Sequence, residues 1–232
     1  MKFDSPLIAG KLIKRYKRFL ADVELPNGVI VTAHCTNSGS MKSCIQPGAD
    51  VLLSKAADPN RKTHYTWEQI NIDGCWIGIN TMHPNFIVWQ ALCNDLIAGL
   101  TGYTDIRREV TVNDSRLDIV ASNSKESAFI EVKNVTYKDG IYARFPDAVT
   151  SRGLKHLHNL MRIKQQGDRA VMVYVIQRND VSVFAPAFDI DPKYADALSE
   201  AYGAGVEIYP IVCRVSPDAI EVDKIIPFDL KH

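Results

Sequence analysis

Short runs of alternating apolar and polar residues, separated by turn residues, make up about the first eighty positions of the chain. Residues 19–24 alternate, Pro26-Asn27-Gly28 predicts a turn, and residues 29–33 continue as a second strand. Further short strands are predicted over residues 51–54, 65–70 and 76–79. Several strands at about ten-residue spacing are typical of a small antiparallel barrel. Their number suits an OB-type barrel, and the count alone leaves an SH3-like barrel as the alternative.

The pattern changes at Pro84, where apolar residues begin to recur at helical spacing. Pro84 suits the first position of a helix, and Gly99 ends it. The apolar residues of this helix are Phe86, Trp89, Leu92, Cys93, Leu96 and Ile97. A second helix is predicted over residues 151–166, and a third runs from Asp191-Pro192 to about residue 202.

Between and after these helices the sequence predicts the strands of a second domain. Residues 170–176 form a continuous apolar run, as expected for a strand that is covered on both faces. Further strands are predicted over residues 181–184, 206–212 and 219–222. Helices that cover a mixed sheet indicate an α/β (α+β) fold class. We therefore predict a barrel domain over residues 1–82 and an α/β domain over residues 83–232.

Two predicted strands joined by a polar turn cover residues 116–121 and 128–133. A hairpin that is symmetric about this turn places Asp118 opposite Glu131. It also places Arg116 opposite Lys133. Because side chains alternate along a strand, these four residues share one face. The opposite face, predicted to face the core, carries Leu117, Ile119, Ile130 and Val132.

The shared face suits metal chemistry on a phosphodiester. Asp118 and Glu131, if directly opposed, have Cβ atoms about 4.5–5.5 Å apart, and one carboxyl should titrate unusually high. A Mg²⁺ ion bound to both removes this conflict, with Mn²⁺ as an alternative, and Glu109 on the preceding strand is a candidate further ligand. An anionic phosphate similarly relieves the repulsion between Arg116 and Lys133. The metal would polarise a phosphoryl oxygen and activate water, while Lys133 orients that water or stabilises developing charge.

The same spacing fits a simpler arrangement, a cross-strand salt-bridge quartet. In that case Asp118 pairs diagonally with Lys133, and Arg116 pairs with Glu131. Such a quartet needs no ligand. The spacing alone does not decide between the two interpretations.

An aspartate followed at a distance by Glu131-Val132-Lys133 resembles the motif of the PD-(D/E)XK nuclease superfamily. The chain also resembles the sugar fermentation stimulation protein A family over nearly its whole length. The segments that carry this similarity are residues 15–23, 34–41, 65–68, 80–81, 84–85, 115–118, 130–136, 145–150 and 152–157. Thr36 stands where the family usually has proline, Ser38 replaces the usual threonine, and the apolar residues around Asp118 vary. None of these departures removes a candidate ligand.

This resemblance implies an N-terminal OB-like β-barrel followed by a restriction-endonuclease-like (PD-(D/E)XK) mixed-sheet domain. It also implies a bacterial protein that binds DNA without sequence preference and affects sugar (maltose) metabolism. Cleavage does not follow from it, because the nuclease assignment rests on motif and fold. An active Mg²⁺-dependent nuclease with Asp118, Glu131 and Lys133 as catalytic residues is therefore the alternative to a protein that binds DNA without cutting it.

Basic residues in both domains are the candidate DNA contacts. In the barrel domain they are Lys14, Arg15, Lys17 and Arg18, with Asn37 and Ser38 of a loop; in the second domain they are Arg116, Arg152, Lys155 and His156. Contacts of this kind to phosphate give affinity without sequence preference. The alternative is a set of solvated strand and helix faces. Tyr16 and Phe19 likewise either stack bases or pack inside the barrel.

Composition changes this picture little. The formal net charge is zero, and the apolar fraction of 46% is that of an ordinary globular protein, so no global basic field points to a polyanion. The five cysteines include no closely spaced pair and predict reduced thiols rather than disulfides or a zinc site. The first twenty residues lack a signal-peptide core, so we expect a cytoplasmic protein with no membrane partner. A protein-interaction or small-ligand module is a weaker third interpretation.

Overall fold

An N-terminal barrel occupies the first part of the chain in the computed structural model, which describes residues 1–112 and 115–231. Its strands are β1 (Ile8–Tyr16), β2 (Leu20–Glu24), β3 (Ile30–His34), β4 (Asp50–Lys55), β5 (Tyr65–Ile72) and β6 (Cys75–Gly78). They are ordered β3-β2-β1-β4-β5-β6, and a parallel contact between β3 and β5 closes the first five into a barrel. The barrel confirms the OB-type prediction.

Alternating apolar side chains fill the barrel. The strands turn small or branched residues inward, among them Leu12, Val23, Val51 and Leu53, and Trp67 is fully buried at the centre. The indole nitrogen of Trp67 is not left unpaired, because Nε1 donates to the carbonyl of Gln69 at 2.9 Å. Burial of this alternating set fixes the register of each strand, since a one-residue slip would turn the apolar side chains outward.

A mixed sheet with three helices forms the second domain. Its elements are α1 (Pro84–Cys93), β7 (Asp105–Val112), β8 (Ser115–Ser122), β9 (Ser127–Val135), β10 (Tyr137–Asp139), β11 (Tyr142–Phe145), α2 (Ser151–Gln165), β12 (Arg169–Ile176), β13 (Val183–Pro186), α3 (Pro192–Gly203), β14 (Glu207–Val215) and β15 (Ile220–Ile225). The main sheet has the order β15-β14-β12-β9-β8-β7, with β9, β12 and β14 parallel. A smaller sheet joins β10, β11 and β13. None of the helices within the described ranges is long and apolar enough to cross a membrane.

Two apolar clusters cover the two faces of the main sheet. α1 packs on one face with residues such as Ile119, Ile130 and Val173. α2 and α3 pack on the other face, around Tyr174 and Leu198. The β12 strand is buried on both sides, which explains its continuous apolar sequence.

The helices follow the sequence prediction except at the end of α1. Thr150 caps α2 directly before the predicted start of that helix, and Asp191 caps α3 where the sequence predicts it to begin. The prediction that the first helix continues to residue 97 is wrong, because α1 ends at Cys93 and Asp95 adopts a left-handed φ of 52°. Leu96 is consequently exposed, whereas Ile97 is buried outside the helix. The short pair β10 and β11 was not predicted.

The β8–β9 hairpin has the register that its symmetry predicts. Pairing runs from Ser122 opposite Ser127 to Ile119 opposite Ile130. Beyond that point the two strands diverge, and the backbone amide of Val132 donates instead to Oδ2 of Asp118 at 2.8 Å. A carboxylate thus takes the place of the next carbonyl of the ladder, at the open end of the hairpin.

Divergence also changes which face Leu117 occupies. Ile119, Ile130 and Val132 belong to the cluster under α1, as one shared core face requires. Leu117 packs in the cluster on the opposite face. The prediction of a single core face is therefore right for three of the four residues, because β8 departs from regular alternation next to Asp118.

Buried polar contacts join the barrel to the second domain. The amide of Gly78 donates to the carbonyl of Gln177 at 2.9 Å. Nε2 of Gln177 donates to the carbonyl of Asn80 at 3.3 Å and to Oδ1 of Asn134 at 2.6 Å. Gln177 is fully buried, so these bonds are shielded from water. They attach the end of β6 directly to the end of β9.

A second attachment lies near the start of the chain. Lys2 forms an antiparallel bridge with Ala219, and the amide of Phe3 donates to the carbonyl of Asp218 at 3.0 Å. Phe3 also packs against the cluster under α1. The segment that precedes the barrel therefore lies against the second domain, although it falls within the region predicted as barrel.

The Asp191 carboxylate links the starts of α2 and α3, and its removal should destabilise both. Oδ1 accepts from the amide of Tyr194 at 3.1 Å and Oδ2 accepts from that of Thr150 at 2.8 Å, while Asp191 is 5% exposed. We expect Asp191→Ala to lower the free energy of unfolding by about 1–3 kcal/mol in urea denaturation. Asp196→Ala, at an exposed position of α3, should change it by less than about 0.5 kcal/mol. Equal losses in the two variants would contradict the linking role.

Candidate functional site

The candidate site lies where β8 and β9 diverge. Asp118 projects from β8, and each carboxylate oxygen accepts one hydrogen bond, Oδ2 from the amide of Val132 and Oδ1 from Nδ2 of Asn85, both at 2.8 Å. Asn85 lies in the first turn of α1, so that helix reaches the open end of the hairpin. The two donors fix the orientation of the carboxylate. Each oxygen retains a further lone pair that can bind a ligand.

Glu131 is the deeply buried acid of the site. It is 1% exposed, and its Oε1 lies 2.7 Å from Nζ of Lys133, two residues along the same face of β9. Nδ1 of His156, on α2, contacts the same oxygen and lies 3.0 Å from Nζ of Lys133. An isolated buried carboxylate would be strongly destabilising. Lys133 and His156 therefore compensate the negative charge of Glu131.

The two acids are shifted in opposite directions. Burial, reinforced by the negative charge of Glu131, raises the pKa of Asp118 above its ordinary value. Burial also acts to raise the pKa of Glu131, but the His156 contact and the positive charge of Lys133 outweigh it, so that pKa lies below its ordinary value. Glu131 is thus a stable anion beside which ionised Asp118 is unfavourable. A cation near both carboxylates would relieve this repulsion.

Glu109 and Arg116 are not drawn into this cluster. Their side chains form an ion pair with each other and are 61% and 65% exposed. Glu109 has a left-handed φ of 56°, which takes it out of the regular alternation of β7. Among the described residues, no group of three His, Cys, Asp or Glu side chains is placed to hold a metal ion. A three-carboxylate site that includes Glu109 is therefore not assembled.

Neither diagonal of the predicted salt-bridge quartet forms among the described residues. Glu131 pairs with Lys133 along its own strand, and Arg116 pairs with Glu109 on the neighbouring strand. The prediction that Arg116 opposes Lys133 is also wrong, because the β8–β9 ladder ends before reaching them. The quartet alternative therefore fails. The ladder also ends before Asp118 and Glu131, so these two are not a paired position either, and what links them is that the charge of Glu131 raises the pKa of Asp118.

The donor set of the site fits a hard divalent cation such as Mg²⁺. Such an ion keeps several of its waters and is usually bound by one or two carboxylates together with substrate phosphate. Asp118 and Glu131 supply two carboxylates, and the negative charge of Glu131 disfavours ionised Asp118 when no cation is bound. A third protein ligand is not required for this mode of binding.

α2 brings two exposed cations next to the site. Arg152 and Lys155 are exposed in its first turns, and Nε of Arg152 donates to Nε2 of His156 at 3.3 Å. His156 is only partly exposed, and its other nitrogen faces Glu131 and Lys133. The sequence predicts His156 as a DNA contact; the structure places its ring inside the carboxylate cluster. Arg152 and Lys155 remain accessible to a phosphate.

The predicted cations of β1 differ in their surroundings. The Lys14 side chain is 63% exposed, with Nζ 3.6 Å from the Asp22 carboxylate. Arg15 instead points into the protein, where Nη2 donates to the carbonyls of Arg18, Asn37 and Gly39 at 2.8–3.0 Å. Arg15 therefore holds the loop around Asn37 against the β1–β2 turn. Its guanidinium is less available to DNA than that of an exposed arginine.

The β1–β2 turn and the loop after β3 present the other predicted barrel contacts. Lys17 and Arg18 are exposed and adopt left-handed φ angles of 49° and 64°, which close the tight turn. Asn37 is buried, and its Oδ1 accepts from the amide of Gly39 at 2.9 Å, whereas Ser38 is exposed.

The two candidate stacking residues also differ in exposure. Tyr16 is partly buried, and its hydroxyl donates to Asp22 at 3.0 Å. Phe19 is 50% exposed, so its ring is accessible from solvent. Of the two, Phe19 is therefore the better placed to contact a ligand.

Asn85 is the functional residue that the sequence analysis did not assign. Its hydrogen bond to Asp118 depends on how α1 packs against the main sheet, which the strand and helix patterns do not specify. Two signals were present, since residues 84–85 form a family segment and Asn85 directly follows the proline that starts the helix. An asparagine there has no capping role and is therefore available to reach the sheet.

The repulsion between the two acids predicts how Asp118 titrates in metal-free protein. In Glu131→Gln the neighbouring negative charge is gone and the positive charge of Lys133 is no longer neutralised, so the pKa of Asp118 should fall. Carboxyl chemical shifts followed by NMR against pH measure this change. Glu109→Gln is the matched control and should leave the titration of Asp118 in place. An unchanged pKa in Glu131→Gln would contradict the coupling of the pair.

Comparisons with known proteins cover almost the whole chain. The family model described as the SfsA N-terminal OB domain matches residues 13–79, and that described as the sugar fermentation stimulation protein RE domain matches residues 82–219. Sugar fermentation stimulation protein homologs from Geotalea uraniireducens and Paramagnetospirillum magneticum are 50% and 47% identical to the chain, covering 96% and 99% of it and 96% and 98% of their own lengths. A solved structure described as Pyrococcus furiosus SfsA in complex with Ca²⁺ is 30% identical, with a TM-score of 0.89 over 99% of this chain and 98% of that chain. The chain belongs to the sugar fermentation stimulation protein family.

Proposed function

We propose that this protein binds DNA through the phosphate backbone and holds a divalent cation, Mg²⁺ or Mn²⁺, between Asp118 and Glu131. The observation that carries the proposal is the convergence of these two acids and Lys133 at the open end of one hairpin, with the pKa of Asp118 raised by burial and by Glu131. A family relative whose structure is described as a complex with Ca²⁺ supports a divalent ion here. In a family named for sugar fermentation, such binding would act on genes of sugar metabolism.

Each residue of the site has a role that follows from its contacts. Asn85 and the Val132 amide orient Asp118, and Lys133 and His156 keep Glu131 ionised. When bound, a divalent cation would polarise a phosphoryl oxygen and lower the pKa of a bound water. Arg152 and Lys155 would bind the neighbouring phosphates of the strand. No base-reading helix is required, which fits binding without sequence preference.

Phosphodiester hydrolysis is the second candidate function. The position of Lys133 favours it, since its Nζ lies beside Glu131 at the carboxylate pair rather than on the outer surface. A cation there can orient an attacking water or stabilise charge that develops on the phosphate.

Metal binding tests the proposed site directly. Isothermal titration with Ca²⁺ and Mg²⁺ should detect binding to the wild type, at least tenfold weaker in Glu131→Gln because one ligand charge is lost at nearly constant shape. Glu109→Gln should bind like the wild type, because Glu109 lies apart from the pair. Absence of metal binding in the wild type would refute the site.

The same variants decide whether the site cuts DNA. Supercoiled plasmid and single-stranded DNA are incubated with each protein in Mg²⁺ or Mn²⁺. Nicking by the wild type and by Glu109→Gln, with none by Glu131→Gln, would establish hydrolysis at this site. Binding of metal and DNA without nicking leaves the non-catalytic form of the proposal.

Salt dependence tests the phosphate contacts of α2. Arg152→Ala combined with Lys155→Ala should weaken binding on every DNA sequence alike and reduce the slope of log K against log salt by about 2, since each lost phosphate contact removes about 0.9. Lys125→Ala combined with Lys224→Ala removes the same charge at exposed positions away from α2 and should leave the slope unchanged. Equal effects of the two pairs would contradict a specific role of α2.

A further inference from the structure

A cleft of about 340 Å³ lies between the barrel and the second domain. Ser38 and its loop neighbours form the wall on the barrel side. The opposite wall is formed by residues 134–137, which continue from β9, and by residues 144–150, which lead into α2. The carboxylate pair itself does not line the cleft, so this is a separate surface.

The lining of the cleft matches the chemistry of a nucleotide. Arg18 is exposed and supplies positive charge, whereas Arg144 is 12% exposed and its Nε lies 3.2 Å from the Asp139 carboxylate. Tyr137 and Phe145 supply aromatic surface. Hydroxyl and amide side chains, such as that of Thr136, provide hydrogen-bonding groups between them. Cations bind phosphate, and aromatic rings stack on bases of any sequence. One acidic side chain, Asp147, is also present and is bound to the amide of Met41 at 3.1 Å.

The size of the cleft limits what it can hold. Its volume of about 340 Å³ lies at the lower end of the about 300–1,000 Å³ typical of small-ligand pockets. One unpaired nucleotide suits this volume, whereas a base pair adds a second base and a second backbone. The occupant is therefore a nucleotide that has left the duplex or was never paired.

Two elements, β9 and α2, each connect the cleft to the carboxylate pair, and the lengths of the two connections agree. Asn134 lines the cleft three residues after Glu131, which is about 10 Å at 3.3 Å per strand residue. Thr150 lines it six residues before His156, which is about 9 Å at 1.5 Å per helix residue. About three stacked nucleotides span this distance, at 3.4 Å per step.

We propose that the cleft receives an unpaired nucleotide of the DNA strand whose phosphate lies at Asp118 and Glu131. The inference rests on the proposed function and narrows its substrate class. The protein prefers DNA with a single-stranded end or overhang of a few nucleotides over an uninterrupted duplex. Three of the six barrel residues predicted as DNA contacts, Arg18, Asn37 and Ser38, line this cleft and gain a common role.

Fluorescence anisotropy with two labelled probes tests this preference. One probe is a blunt duplex and the other is the same duplex with a four-nucleotide overhang, both in Ca²⁺ and checked on a gel for integrity. We expect the wild type to bind the overhang probe at least tenfold more tightly. Ala148→Trp and Ser38→Trp, at exposed positions on opposite walls, should remove this advantage, and Ala148→Trp should leave affinity for the blunt probe unchanged.

Ala204→Trp is the matched control, since Ala204 is exposed beyond the end of α3 and does not line the cleft. It should keep the overhang preference. Thermal unfolding verifies that each variant is folded. Because Ala148 and Ser38 lie on different walls, one variant still tests the cleft if the other does not fold. Equal affinity of the wild type for both probes, or a preference that persists in both wall variants, would overturn the cleft assignment while leaving the proposed function intact. A wild type that binds neither probe would instead refute the proposed function.

Discussion

The need to keep Glu131 charged inside the protein governs the arrangement of the site. A buried carboxylate costs several kcal/mol unless it is paired, so Lys133 and His156 must both reach it. Lys133 is on the same strand, but His156 arrives only when α2 is docked with its first turns over β9. The caps at Thr150 and Asp191 set where that helix begins. The buried charge of Glu131 therefore links the main sheet to α2 and to the capped starts of α2 and α3.

Much of this arrangement is encoded locally and could be predicted. The polar turn and the alternation on either side determine the register of β8 and β9 as far as Ile119 opposite Ile130, one position short of Asp118 and Glu131. The caps of α2 and α3 are likewise visible as Thr150 and as Asp191 before a proline. In each case a short-range rule of the backbone determines the geometry, and the family resemblance then adds the order of the two domains.

Contacts between distant segments were not accessible in this way. The bond from Asn85 to Asp118 depends on the packing of a helix across a sheet, and Arg15 turns inward because carbonyls of two separate loops converge on it. Glu109 is a candidate metal ligand by sequence, but its own left-handed φ interrupts the alternation of its strand, and its side chain lies exposed to solvent. Sequence patterns describe regular geometry, and these positions depart from it or depend on a partner far along the chain.

Hydrogen bonds hold the barrel to the second domain at several separate places. Besides the bridge of Lys2 with Ala219 and the buried bonds of Gln177, the Met41 amide donates to Asp147, the Ser43 hydroxyl donates to the carbonyl of Thr136, and Nε2 of Gln69 donates to that of Ser216. A body attached at one point can rotate in any direction, and one attached at two points can still rotate about the line that joins them. Attachments on several elements of each domain remove these rotations, so we expect the two domains to move as one body and the cleft between them to keep its width.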